Sequence, residues 1–116
     1  MIFVTVGMHY QGFERLIKKM DEIARKVDED VIMQTGYTKY KSKNAKYFTF
    51  VSDKEILELY IKARVIVSHA GAGTLLTALS LGKPTIVVPR LKKFGEHIDD
   101  QQLELAEVLS EEGKII

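Results

Sequence analysis

Short apolar runs alternate with helical patterns along this chain. Ile2-Phe3-Val4-Thr5-Val6 is β-branched and aromatic and stops at Gly7, which predicts a buried strand. Phe13, Leu16, Ile17, Met20, Ile23, Ala24 and Val27 then recur at helical spacing with charges between them, which predicts an amphipathic helix over residues 12–27. Val31-Ile32-Met33-Gln34-Thr35, ending at Gly36, predicts a second strand, and residues 47–51 a third. Ser52-Asp53-Lys54-Glu55 has the form of a capping box. The Ser52 hydroxyl would accept from the Glu55 amide while the Glu55 carboxylate reaches back, so a helix follows through Lys62.

Residues 64–68 read as a fourth strand, and residues 74–81 as a short helix closed by Gly82. Residues 84–89 hold a fifth strand, residues 99–112 a last helix closed by Gly113, and Lys114-Ile115-Ile116 a short edge strand. Repeated βα units give a parallel sheet with helices on both faces, because parallel neighbours need right-handed crossovers. The expected fold class is therefore α/β and Rossmann-like. The chain has 116 residues, which suits one domain over residues 1–116.

Composition removes several functions. Hydrophobic residues make up 46%, enough for a packed core. Seventeen Lys and Arg against 16 Asp and Glu leave a net charge of +1, so nothing favours nucleic acid as a partner. No cysteine is present, which excludes disulfides, thiolate metal sites and cysteine nucleophiles. The apolar runs are strand-sized, far short of the about 20 residues a membrane span needs. No basic stretch precedes the first apolar run, so it does not read as a signal peptide.

In an open parallel sheet, ligands bind at the carboxyl ends of the strands. Small and polar residues concentrate there: Gly7-Met8-His9 after the first strand, Gln34-Thr35-Gly36-Tyr37 at the second, Ser68-His69-Ala70-Gly71-Ala72-Gly73-Thr74 after the fourth. Pro89-Arg90 follows the fifth, then Gly95-Glu96-His97 and Gln101-Gln102. Gly71-Ala72-Gly73-Thr74 opens a helix, where glycines admit a ligand closely and free amides with the helix dipole favour an anion. Thr74 would donate to a phosphate or cap the helix. The alternative is a tight turn that needs small residues.

The dinucleotide fingerprint is absent, since position 76 is leucine, and so is the P-loop, since no Gly-Lys-Ser or Gly-Lys-Thr occurs. His69 and His97, with His9 as a third, would polarise a phosphate or a sugar hydroxyl, or are structural. No ligand spacing supports a metal. Arg90 is a natural partner for phosphate; its alternative is a surface ion pair with Glu96 or Asp99. As a surface residue it would tolerate alanine with little loss of stability. Lys39, Lys41, Lys43 and Lys46 make a basic loop with no acid among them, which would meet an anionic membrane or acidic partner or is simply solvated.

Val65-Ile66-Val67-Ser68-His69-Ala70-Gly71-Ala72-Gly73-Thr74, Gly82-Lys83-Pro84 and Val87-Val88-Pro89-Arg90 resemble the C-terminal domain of glycosyltransferase family 28. Ile2 to Gly7 and Gln34-Thr35-Gly36-Tyr37 extend the likeness over nearly the whole chain. Leu75 to Leu79, Gly95-Glu96-His97 and Asp99-Asp100-Gln101-Gln102 are similar to the PssE-type stand-alone subunits of exopolysaccharide synthesis.

The resemblance implies the C-terminal, donor-binding half of a GT-B glycosyltransferase. It would bind a UDP-sugar without a cofactor or metal, and transfer a hexose to a lipid-linked sugar acceptor held by a membrane-anchored acceptor-binding subunit. It implies a cytoplasmic chain recruited to the inner face of the membrane by that partner, with a homo-oligomer left open. Gly7 and Met8 would offer amides near the phosphates, and Gly71, Ala72, Gly73 and Thr74 would hold the diphosphate. Gln34, Gly36, His69, Ala70 and Arg90 would line the donor site, and Gln101 and Gln102 would bind the sugar. His97 would lie near the pyrophosphate, as the one candidate catalytic residue in this chain. Thr77 stands where many members carry a ribose-gripping glutamate, and a hydroxyl replaces only part of that acceptor role. A non-catalytic nucleotide-sugar-binding module or an assembly subunit is the alternative.

Overall fold

A computed structural model describes residues 1–116. Its elements are β1 (Ile2–Thr5), α1 (Glu14–Lys26), β2 (Val31–Gln34), β3 (Lys46–Phe48), α2 (Asp53–Lys62), β4 (Val65–Ser68), α3 (Ala72–Ser80), β5 (Thr85–Val87) and α4 (Gln101–Glu111), with a 3-10 turn at Lys92–Phe94. The five strands are all parallel, in the order β3-β2-β1-β4-β5. The chain is an α/β Rossmann-like sheet with helices on both faces.

Strand alternation sorts the core into layers. Ile2, Val4 and Val6 face α1, meeting Leu16, Ile17 and Met20 with Val31, Met33 and Val67. Phe3 and Ile66 face the other way, against Tyr60 and Ala63 of the α2 end and Ala78 of α3. Phe3 and Tyr60 meet edge to face at 5.4 Å. Leu75 of α3 packs with Ala106 of α4 and Ile115. Each such large apolar side chain contributes about 1.5–3 kcal/mol on burial.

Ser52 caps α2, its hydroxyl accepting from the Glu55 amide at 3.2 Å. The Glu55 carboxylate meets the same hydroxyl at 3.3 Å and does not reach the Ser52 amide. Lys83 donates to the carbonyls of Ile61 and Ala63, closing the other end of α2 across the sheet. The start of α1 is held from a distance: Phe13 N donates to Thr38 Oγ1 at 3.0 Å, and Lys39 N to Glu14 Oε1 at 2.9 Å.

Three expectations shift. β3 begins at Lys46 and ends at Phe48, so Phe50 and Val51 leave the sheet. α3 begins at Ala72 with Gly71 as its N-cap, so Thr74 lies inside the helix and does not cap it. The tail pairs with β5 only through Ile116, which bonds Thr85 and Val87.

Candidate functional site: a cleft at the switch point of the sheet

From β1 the chain runs outward to β2 and β3; from β4 it runs the opposite way to β5. The β1 and β4 exits therefore diverge, and a crevice opens between them, as at any topological switch point. A cleft of about 490 Å³ occupies it, between α2 and α3. Gly7, Met8, Thr5 and Gln34 line its sheet side; Gly73, Thr74 and Thr77 line the α3 side. Phe50, Val51, Ile56, Leu57 and Tyr60 form an apolar wall, and Asp53 is the one charged side chain in the lining.

The start of α3 has no side-chain cap. Its first intrahelical bond is Leu75 N to Gly71 O, so the amides of Ala72, Gly73 and Thr74 are left for a ligand. A Cβ on Gly73 would meet nothing within 4 Å. The protein itself does not require glycine there, and its absence of a side chain keeps the cleft floor open.

Gly7 and Gly71 have a different reason. A Cβ on Gly7 would lie 2.6 Å from His69 Nε2, and one on Gly71 would lie 2.2 Å from His69 Cε1. The imidazole is wedged between two glycine backbones. Burial is the main cause that pulls the His69 pKa down to about 3, with the Arg90 charge next. The ring is therefore neutral.

Its tautomer follows from Gln102. Gln102 Oε1 accepts from Ala70 N and Arg90 N, both at 3.1 Å, which fixes the carboxamide. Gln102 Nε2 then donates to His69 Nδ1 at 3.2 Å, so the ring proton sits on Nε2 and is donated to Thr74 Oγ1, also at 3.2 Å. The Thr74 proton is left to point at Tyr60 and the cleft. Tyr60 is itself pushed up by burial, an effect the Thr74 hydroxyl opposes.

Several expected ligand residues turn out to be braces. Gln34 is buried and its carboxamide is fully engaged: Oε1 accepts from Thr5 Oγ1, Val6 N and Gly7 N, and Nε2 donates to Gly7 O and Thr49 O. Gly36, at φ +53°, bonds Thr49 O and lies outside the cleft lining. Ala70 is buried beneath Gln102, and Ala72 is exposed at the helix start. The glutamine pair divides: Gln102 is the buried brace, while Gln101 is exposed, with its amide on Asp99 Oδ1 at 3.1 Å.

Arg90 needs the largest correction. It is fully buried, not a surface charge. Its Nη1 donates to Gln11 O at 2.6 Å and Glu96 O at 3.0 Å, its Nη2 to Val6 O at 2.7 Å, and it lies 5.0 Å over the Phe13 ring. Burial lowers its pKa to about 10, opposed by Glu96 and Glu14, so it stays charged. The Glu96 carboxylate does not pair with it but takes a bidentate grip from Arg15, at 2.8 and 3.0 Å. Short apolar flanks in the sequence gave no sign that this arginine ties three loops together by their carbonyls.

His97 stacks on His9 with centroids 4.3 Å apart, outside the cleft lining, and its Nδ1 is 3.1 Å from Asp99 Oδ1. The apolar wall was missed by sequence reasoning. Its signal was Leu57, exposed on α2 beside the partly buried Ile56 and Leu59.

The model of the glycosyltransferase family 28 C-terminal domain matches residues 1–113. The human UDP-N-acetylglucosamine transferase subunit ALG13 (Homo sapiens) is 46% identical over 54 residues, 47% of this chain, and the mouse (Mus musculus) protein is 43% identical over the same length. The chain's match spans 4% of the length of these curated relatives. Among solved structures, the kitacinnamycin glycotransferase superposes with a TM-score of 0.72 at 20% identity, over 98% of this chain and 29% of its own. MurG of Acinetobacter baumannii superposes with a TM-score of 0.64 at 20% identity, over 97% of this chain and 35% of its own. These two show the fold. With its family model covering nearly every residue, the chain belongs to the glycosyltransferase family 28 C-terminal domain family.

Proposed function

We propose that this chain is the donor-binding half of a two-chain glycosyltransferase. In this reading it holds a UDP-sugar, and a membrane-anchored partner holds the lipid-linked sugar acceptor. The observation that carries the reading is the cleft itself, where the uncapped start of α3 faces an apolar wall across the switch point. Family membership and the name of the human relative, a transferase subunit, support it.

The parts suit a nucleoside diphosphate. The wall from Phe50 to Tyr60 takes the base. Asp53, the single carboxylate, accepts from ribose hydroxyls. Thr77 Oγ1 donates to Gly73 O at 3.1 Å, so it offers only lone pairs to the same diol. No cationic side chain lines the cleft. The diphosphate is therefore neutralised by the amides of Ala72, Gly73 and Thr74 and the α3 dipole. In this reading Gln101 binds the sugar.

Transfer breaks the bond between the anomeric carbon and the diphosphate oxygen and forms one to the acceptor hydroxyl oxygen, whose proton goes to a base. Negative charge grows on the departing diphosphate, where the helix amides and the Thr74 proton meet it. The partner supplies the main base. His97, with Nδ1 3.1 Å from Asp99 Oδ1, is the candidate proton carrier on this chain. We read the chemistry as metal-free, as the resemblance to the family implies.

Reconstitution tests the reading. Labelled sugar should pass from UDP-sugar to lipid acceptor only when both chains are present. Robust transfer by this chain alone overturns the two-chain version. Binding of UDP with no rate gain from any partner leaves a non-catalytic nucleotide-sugar-binding module.

A further inference from the structure

The β2–β3 connection has no helix. It runs back over the α1 side of the sheet, and Asp21, buried in α1, pins it: Tyr40 Oη donates to Asp21 Oδ2 at 2.6 Å, Ser42 Oγ to Oδ1 at 2.5 Å and Asn44 N to Oδ1 at 2.8 Å. Lys39, Lys41 and Lys43 are thereby presented from an anchored loop, exposed and without a carboxylate partner. Lys18 of α1 joins them, 5.8 Å over the Tyr40 ring.

On the other flank of the α1 start stands the 3-10 turn. Arg15 lies 5.2 Å over the Phe94 ring, and Lys93 lies 5.1 Å over the same ring. Lys92 and Lys93 are exposed and unpaired. Phe94 is 55% exposed and Ile98 59%, on the same loop. One band therefore runs from the anchored lysine loop across the N-terminal half of α1 to a lysine-flanked aromatic tip. Of the acids near it, Glu96 is paired with Arg15 and Glu22 with Lys19, while Glu14, Asp99 and Asp100 accept from backbone amides. The opposite charge lies elsewhere, on α4 with Glu104, Glu107 and Glu111.

We propose that this band is a membrane-contact surface of the chain's own, binding anionic phospholipid headgroups through its lysines and seating Phe94 and Ile98 in the interface. Two features choose a lipid surface over an acidic protein. The free cations of the band are all lysines, point charges suited to a diffuse anionic layer, whereas its one arginine, Arg15, is already paired with Glu96. And the apolar side chains stand out from the band as tips, as interfacial anchors do. Anionic membranes attract basic segments additively, lysine by lysine. The inference does not rest on the donor reading, since none of these residues lines the cleft.

The test is co-sedimentation of the full chain with phosphatidylcholine vesicles, with and without about one-third phosphatidylglycerol, at low and raised salt. Polyglutamate competes in a parallel arm. The expected result is binding to the anionic vesicles only, weakened by salt, reduced at least tenfold in Lys92→Glu/Lys93→Glu and clearly reduced in Phe94→Ser. Circular dichroism and UDP titration of the same variants, both expected unchanged, separate loss of the surface from loss of the fold or the cleft. No binding to anionic vesicles, equal binding to neutral ones, or binding that the substitutions leave intact overturns the proposal. Capture by polyglutamate without vesicle binding overturns it in favour of an acidic protein.

Discussion

His69 donates to the Thr74 hydroxyl across 3.2 Å from a ring that burial keeps neutral. The histidine of the fourth strand's loop is thus an orienting group. It fixes which way the threonine proton points, and Gln102 fixes the histidine. The chemistry of the cleft is set by a side chain that no ligand need touch.

Thr74→Val tests that relationship. Valine keeps the shape and removes the donor. UDP affinity should fall about tenfold, the worth of one hydrogen bond to a charged group, and the melting temperature should fall by several degrees because the buried His69 Nε2–H loses its acceptor. Titration calorimetry beside a thermal melt reads both. An unchanged affinity means the hydroxyl does not face the ligand.

The neutral His69 ring also sets a pH dependence. Its folded pKa of about 3 lies below the unfolded value of 6.5, so between these the unfolded state binds more protons. The contribution to stability is complete above about pH 6.5 and is lost as pH falls toward the folded value. Urea midpoints should decline between about pH 7 and pH 5, above the carboxylate range. In His69→Asn that decline should be shallower; an identical slope would mean the ring is not the proton acceptor.

Arg90→Ala should be costly to the fold. The substitution strands the carbonyls of Val6, Gln11 and Glu96 and empties a buried volume. A loss of about 3–5 kcal/mol is expected, from buried carbonyls left without donors together with the cavity. Arg90→Lys should not restore it, because one ammonium cannot span the same carbonyls. Chemical denaturation measures the difference, and a near-neutral alanine variant would refute the brace.

Asp53→Asn addresses the ribose. The amide keeps the size and removes the negative acceptor. UDP should bind more weakly by about tenfold, while 2′-deoxy-UDP, already lacking one hydroxyl, should lose much less. Equal losses for the two ligands would place Asp53 away from the diol.

The sheet, its strand sequence and the ligand edge were readable because buried parallel strands and amphipathic helices write plain periodicities, as Ile2 to Val6 and Phe13 to Val27 do. The glycines of the fourth loop were readable as the opening of a helix, but the reason for Gly7 and Gly71 was not. They make room for a ring supplied by His69, a contact that depends on β1 and β4 being neighbours. Gln34, Arg90 and Gln102 illustrate the same limit. A polar side chain at a strand end reads as a ligand contact, and only three-dimensional neighbours reveal that backbone groups already use it. Phe50 and Val51 were hidden by a strand that ends three residues earlier than its apolar run.

The most direct measurement is calorimetric titration of the chain with UDP, with ADP and GDP as controls. The account predicts saturable binding of UDP in preference to both purine nucleotides, weakened in Thr74→Val. No binding of UDP, or equal binding of all three, would contradict the assignment of the switch-point cleft as a uridine-diphosphate site.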